Sequence, residues 1–205
     1  VIASSNIPHI AQQFSQSMNA DVMSQRAASA AKAMVQLQDS AGKGHLAGLK
    51  TGLPVATGLA QAFKQDGKDN LVFCLTGDGE LHEGSNWEAL LSAAWFGLGN
   101  LIVIVDRNGQ CTLGKTYDKQ SPKDGVGLEN LYEKFRAFGF DVTEINGHDF
   151  GEILACLSNI RDQRWNPDVP QCIIAHTKKG KGLSVMEDNR NWHYKVPSGA
   201  ALEQC

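Results

Sequence analysis

The 205-residue chain contains no apolar stretch near the roughly 20 residues that a membrane-spanning helix requires, and no signal-peptide pattern, which favours a cytoplasmic protein. Cysteine is sparse. Cys74, Cys111, Cys156, Cys172 and Cys205 show no CxxC spacing, which removes the usual zinc-ribbon and dithiol-redox readings and leaves reduced thiols. Positive charge is not in excess either: 19 basic against 22 acidic residues give a net charge of −3. Without a broad basic surface to neutralise many phosphates, nucleic-acid binding is not expected, and Lys178, Lys179 and Lys181 beside glycines read as a solvated loop. Internal repeats and low-complexity tracts are missing, so neither a solenoid nor a long linker is expected. What remains is the composition of an ordinary enzyme domain, 42% hydrophobic and 20% charged.

Order within that composition begins at Leu71 to Thr76 (LVFCLT) and Leu101 to Asp106 (LIVIVD), two short β-rich apolar runs suited to strands buried on both faces of a parallel sheet. Between them Trp87, Leu90, Leu91, Ala94 and Trp95 recur at spacings of three and four, with Ser85 or Asn86 as the expected cap and Gly97 and Gly99 at the far end. The pattern predicts a βαβ unit. Such a unit carries Asp78 and Asn108 to the C-terminal ends of neighbouring strands, where open α/β sheets bind ligands. Downstream, helices are predicted over 128–138 and 150–162, and strands over 140–145 and Gln171 to His176.

One carboxylate and one amide oxygen at adjacent strand ends suit a hard cation such as Mg²⁺, which completes its octahedron with substrate phosphates and water. Gly77 and Gly79 around the aspartate let backbone approach a phosphate, and the following helix N-terminus offers unpaired N–H groups. The residues alone therefore indicate a Mg²⁺-bridged diphosphate site.

The segments GDGELHEGSNWEA, LGNLIVIVDRNG, FGFDVTEINGHDF, IIAHTKKGKG and MEDNRNWHYKVPS resemble the N-terminal half of transketolases, especially those made as two separate chains, over roughly residues 48 to 200. The resemblance implies a thiamine diphosphate-binding α/β domain, a parallel sheet flanked by helices, over 48–205. Residues 1–47 form an N-terminal helical segment, helix-compatible at Ile10 to Met18 and Ser24 to Leu37. It implies Mg²⁺ ligation by Asp78, Asn108 and the backbone carbonyl of Gln110. Cofactor contacts would come from Leu49, Gly52, Gly77, Gly79, Glu80 and His193. Glu83 would join a proton-sharing network at a protein–protein interface; its bland alternative is an acid stabilised by a helix start. His193 has an alternative of its own, a histidine that closes a loop.

Some positions depart from the family pattern. Lys50 and Pro54 stand where a glycine and a small residue are usual, and Lys50 reads as a surface lysine. The SGHPG motif of the family is not recognisable in residues 1–44, and His45 is given no catalytic role.

Since only the diphosphate-binding half is resembled, a separate chain bearing the pyrimidine-binding domain and the activating glutamate is expected, in an α₂β₂ assembly. An apolar face including Trp87, Trp95 or Phe96 would serve either that interface or the domain's own core. The implied reaction transfers a two-carbon ketol unit from a ketose to an aldehyde, with thiazolium C2 as the nucleophile and the protein supplying orientation and electrostatics. Two other readings carry different expectations: a component that delivers a two-carbon acyl unit from a 2-oxoacid to a carrier, and a degenerate, non-catalytic subunit.

Overall fold

The computed structural model describes residues 2–4, 52–111, 114–116, 127–161, 166–192 and 195–203. Leu49, His193, His45, Lys50, Cys205 and the expected helices over 10–18 and 24–37 lie outside the described residues.

Four parallel strands, β2 (Leu71–Gly77), β3 (Leu101–Arg107), β6 (Asp141–Asn146) and β7 (Gln171–His176), carry the fold, with β1 (Ile2–Ser4) antiparallel at one edge. The spatial order is β1-β2-β3-β7-β6, which inserts the last strand between two earlier ones. Helices cover both faces. On one, α1 (Gly52–Gln65), α2 (Gly84–Trp95) and α3 (Leu131–Ala137) bury Leu53, Ala56, Ala60, Leu90, Ala93 and Phe135 against Val72, Val103, Val105 and Ile174. On the other, α4 (Phe150–Arg161) packs Ile160, Cys156 and Leu157 over Ile102, Ile104 and Ile173. Two-sided burial explains why the central strands read as continuous apolar runs. A two-stranded hairpin, β4 (Gln110–Cys111) with β5 (Gly114–Lys115), follows β3, and α5 (Ala200–Glu203) ends the described chain.

The register sets up the site. Gly77 pairs with Asp106 in the β2–β3 ladder, so the residues beyond, Asp78 and Arg107, leave the sheet side by side. Arg107 in turn pairs with His176, which brings the segment after β7 to the same rim.

Local expectations hold in outline and fail in instructive details. β2 is followed not directly by a helix but by a 3₁₀ turn over Asp78–His82, so the first free N–H groups after the strand belong to that turn. Neither Ser85 nor Asn86 caps α2; Glu83 occupies the N-cap, without a side-chain cap bond. Asn86 is fully buried, and its Nδ2 donates 2.8 Å to the Glu80 carbonyl, so the turn recruits the amide. At the other end Gly97 adopts φ +58°, and Lys64 Nζ donates to the Phe96 and Gly97 carbonyls (3.1 and 2.6 Å), tying α2 to α1. The helix predicted from 128 starts at Leu131 because Asn130 takes a left-handed φ of 53°.

Trp87 belongs to the domain's own core. Its ring lies 5.2 Å from Phe138 and 6.0 Å from Phe135, and its Nε1 donates 2.7 Å to the Leu81 carbonyl, fixing the 3₁₀ turn to α2. Trp95 is the opposite case, 85% exposed. Among the described residues no helix is long and apolar enough to cross a membrane.

Cys74, Cys111, Cys156 and Cys172 are free, and Cys74 and Cys172 are buried in β2 and β7. Burial pushes the Cys74 thiol up to about 11 and raises Cys172 well above its ordinary value. Thiolate is the reactive form, so both side chains should resist iodoacetamide at pH 8 in the native protein and react fully in urea. Mass-spectrometric mapping of native alkylation at Cys74 or Cys172 at the rate of Cys111 would contradict this packing.

Candidate functional site

Three connections converge at the C-terminal rim of the sheet: the turn after β2, the loop and hairpin after β3, and residues 177–192 after β7. Asp78 is their hub. Its side chain has 0% exposure, and Oδ2 accepts from Thr116 Oγ1 at 2.7 Å, from the Gly109 N–H at 2.9 Å and from Arg107 Nη1 at 3.4 Å. Oδ1 is equally buried, yet finds no hydrogen-bond partner among the described residues. Burial raises the Asp78 pKa, opposed by Thr116, Gly109 and Arg107; the Gly79 N–H also lowers it, without reaching hydrogen-bonding geometry at Oδ1. An uncompensated oxygen on a buried carboxylate costs free energy that a bound cation would offset.

Asn108 is held at both ends of its amide. Nδ2 donates 3.2 Å to Asp106 Oδ2, and Oδ1 accepts the Gln110 N–H at 3.0 Å. A carboxylate on one side and an N–H on the other leave a single sensible orientation of the amide. Asp106 is itself anchored, because Thr177 Oγ1 donates to its Oδ1. Oδ1 of Asn108 keeps a second lone pair for a metal. The Gln110 carbonyl stands 3.7 Å from where a β-carbon on Gly79 would be, so the third expected oxygen also borders the Asp78 turn. One carboxylate, one amide and one carbonyl form a hard, oxygen-only donor set of the kind Mg²⁺ takes.

The glycines around Asp78 differ in their reasons. A β-carbon at Gly77 would meet nothing within 4 Å, which leaves room above the strand end. At Gly79 it would lie 2.6 Å from Cys111 Cβ, so the hairpin after β3 compels glycine there by contact. Glu80 points toward the first residue of α1, its Oε1 3.7 Å from the β-carbon position of Gly52. Burial raises the Glu80 pKa, Thr76 and Gly77 lower it by hydrogen bonding, and the Glu83 charge raises it. Glu83 itself is half-buried at the N-cap of α2, where a helix-start acid is expected.

The segment after β7 is built as a rigid loop. Lys178 pairs with Glu187 at 2.9 Å, Lys181 reaches the same carboxylate at 3.9 Å, and the Gly182 N–H donates to it at 3.0 Å, in line with a structural role for these lysines. Gln110 Nε2 donates 2.6 Å to Asp188 Oδ1, fastening the loop to the β3 connection. Arg107, Thr116, Asp106, Thr177 and Asp188 do not stand out as site residues in the sequence. Arg107 has a signal, a cation following an apolar strand; Thr116 has none, since its partner lies 38 residues away.

Comparison with known proteins adds an independent line. The family described as transketolase, thiamine diphosphate binding domain, matches residues 42–204. One of the two chains of the apulose-4-phosphate transketolase of Actinobacillus succinogenes is 43% identical over 152 residues, 74% of this chain and 51% of that protein. The protein of the same name from Phocaeicola vulgatus is 37% identical over 154 residues, 75% of this chain and 52% of its own length. The chain thus spans about half the length of the curated relatives it matches. Among solved structures, transketolase from Campylobacter jejuni superposes with a TM-score of 0.56 at 32% identity, covering 70% of this chain and 22% of that one.

The Gly79–Cys111 contact gives a test of this geometry that needs no ligand. Gly79→Ala should lower unfolding stability by about 1–3 kcal/mol through overpacking, measured by urea denaturation, whereas Gly77→Ala should leave it nearly unchanged. Equal effects of the two substitutions would mean that the hairpin does not approach the turn as described.

Proposed function

Because the chain belongs to the transketolase family through its thiamine diphosphate binding domain, we propose that it is the diphosphate-binding subunit of a Mg²⁺-dependent transketolase-like enzyme. That enzyme moves a two-carbon ketol unit from a ketose donor to an aldehyde acceptor. The observation that carries the reading is the buried, unpartnered Oδ1 of Asp78, flanked by the Asn108 amide and the Gln110 carbonyl.

In this reading Asp78, Asn108 and the Gln110 carbonyl hold Mg²⁺, and Gly77 leaves space for the diphosphate, with Gly79, Glu80 and Gly52 lining the same rim. Leu49 would contact the cofactor ring and His193 the diphosphate. Bound there, the cofactor supplies the carbon nucleophile that attacks the ketose carbonyl. The chain's own residues bind and orient: Asp78 and Asn108 fix the cation, and the walls of the rim exclude water from the diphosphate. Two relatives carry apulose 4-phosphate in their names, which makes a ketose phosphate the donor to test first.

A second polypeptide bringing the pyrimidine-binding domain completes the site in our reading, as an α₂β₂ complex acting in the cytoplasm. Two relatives are named as one subunit of a transketolase, which supports a partner. So does the outer side of α2 and its C-cap, where Leu91, Trp95 and Phe96 are 59%, 85% and 48% exposed. An apolar strip of this kind on a domain's surface marks an interaction site. Glu83, at the start of the same helix, would then lie close to the interface.

The first experiment is co-purification with the partner chain, native mass spectrometry and identification of released small molecules. A heteromer carrying thiamine diphosphate and Mg²⁺ is expected. Asp78→Ala should weaken Mg²⁺-dependent cofactor binding by at least about a hundredfold, beyond the loss typical of groups outside the ligand set. Retention of bound cofactor at wild-type occupancy in that variant would refute the site. Trp95→Asp should dissociate the heteromer while leaving the chain's own stability within about 0.5 kcal/mol, because the ring makes little of the core. An intact complex by size-exclusion light scattering would move the interface elsewhere.

A further inference from the structure

The cation-binding reading leaves open why Asp78 is held as it is. A carboxylate oxygen has about two acceptor positions, yet Oδ2 of Asp78 takes three donors: Thr116 Oγ1 at 2.7 Å, the Gly109 N–H at 2.9 Å and Arg107 Nη1 at 3.4 Å. Oδ1 takes none from the described residues. The two oxygens are therefore strongly unequal: one is closed to any further partner and the other is open.

The donors on Oδ2 come from firmly seated groups. Thr116 has no exposed surface; its N–H donates 3.0 Å to the Gly109 carbonyl, and its own carbonyl accepts from the Leu128 N–H at 3.0 Å. Arg107 is buried, and its Nη2 donates 2.6 Å to the Leu128 carbonyl. Thr116 and Leu128 thus tie the hairpin, the start of α3 and Asp78 into one unit. Asn108, the other side-chain ligand in this reading, is locked by Asp106 and the Gln110 N–H. Neither ligand is free to swing or to change its denticity.

Mg²⁺ and Ca²⁺ differ in what they ask of such a site. Mg²⁺ requires near-octahedral single-oxygen ligation at about 2.0–2.1 Å, whereas Ca²⁺ takes six to eight oxygens, often from a bidentate carboxylate, in a looser shell. We propose that Thr116 and Arg107 are positioning residues that close Oδ2 of Asp78, hold this carboxylate monodentate, and thereby bias the site toward Mg²⁺ over Ca²⁺. The inference rests on Asp78 being a cation ligand and adds to that reading how the cation is chosen. Neither residue touches the cation; each acts through the oxygen it occupies.

The test measures ion selectivity, a property that a general loss of structure would not shift in one direction. The chain in complex with its partner is titrated with MgCl₂ or CaCl₂ at saturating thiamine diphosphate, and binding is followed by calorimetry. Thr116→Val removes the hydroxyl at nearly constant volume and opens Oδ2. The ratio of Mg²⁺ to Ca²⁺ affinity should fall by about tenfold, in the range seen when groups supporting metal ligands are lost. Thr116→Ser should restore the wild-type ratio. Arg107→Gln should shift it in the same direction and decides the matter if the valine variant does not fold. Equal weakening of both ions, or an unchanged ratio, would overturn the proposal while leaving the cofactor site standing. A wild-type complex that binds thiamine diphosphate with neither ion would instead remove the cofactor reading, and the selectivity inference with it.

Discussion

A carboxylate with no exposed surface has to be compensated on both oxygens, and at Asp78 the described protein groups compensate only one. That asymmetry organises the rim of the sheet. The donors to Oδ2 draw in the ends of β2 and β3 and the hairpin behind them, while the open oxygen gives the arrangement a reason to exist in a folded chain. Buried charges persist where they are paired or coordinate a metal. Here pairing supplies half of the answer and the cation of our reading the other half.

The sheet delivers these groups through register rather than through any long-range loop packing. Gly77 opposite Asp106, and Arg107 opposite His176, mean that three consecutive strands in space end within one residue of each other. Short connections then suffice. Thr177 can reach Asp106, and Asp188 can reach Gln110, because each loop begins where its neighbour does. The helices contribute by staying out of the way: the fully buried Asn86 and the indole of Trp87 both reach back to carbonyls of the 3₁₀ turn, so α2 steadies the Asp78 turn from behind.

Much of this is legible in the sequence, and the parts that are not share a cause. β7 runs over Gln171–His176 as its apolar run indicates, because burial on both faces leaves a continuous pattern that needs no context. Asp78 and Asn108 are legible as a pair because the βαβ rule fixes where strand ends go. Capping rules misplace the cap of α2 because they see only local spacing, whereas Asn86 answers to a carbonyl six residues earlier. Gly79 reads as a point of phosphate approach, yet its neighbour is the side chain of Cys111. Thr116 is invisible: nothing in a polar hairpin announces which hydroxyl will face a carboxylate 38 positions upstream. Pairwise geometry across loops is what a one-dimensional pattern does not carry.

The strand order β1-β2-β3-β7-β6 has a consequence for how the chain is made. β3 is the most thoroughly buried of the strands, and one of its edges stays without its native neighbour until Gln171 has left the ribosome. Through the synthesis of everything between, a row of unsatisfied backbone groups on an apolar strand is available to any other nascent chain, the condition under which sheets associate edge to edge. Closing that gap is a contact of large sequence separation and hence slow. Vectorial synthesis therefore leaves this domain dependent on chaperones at the ribosome for the interval in which its central strand has only one side.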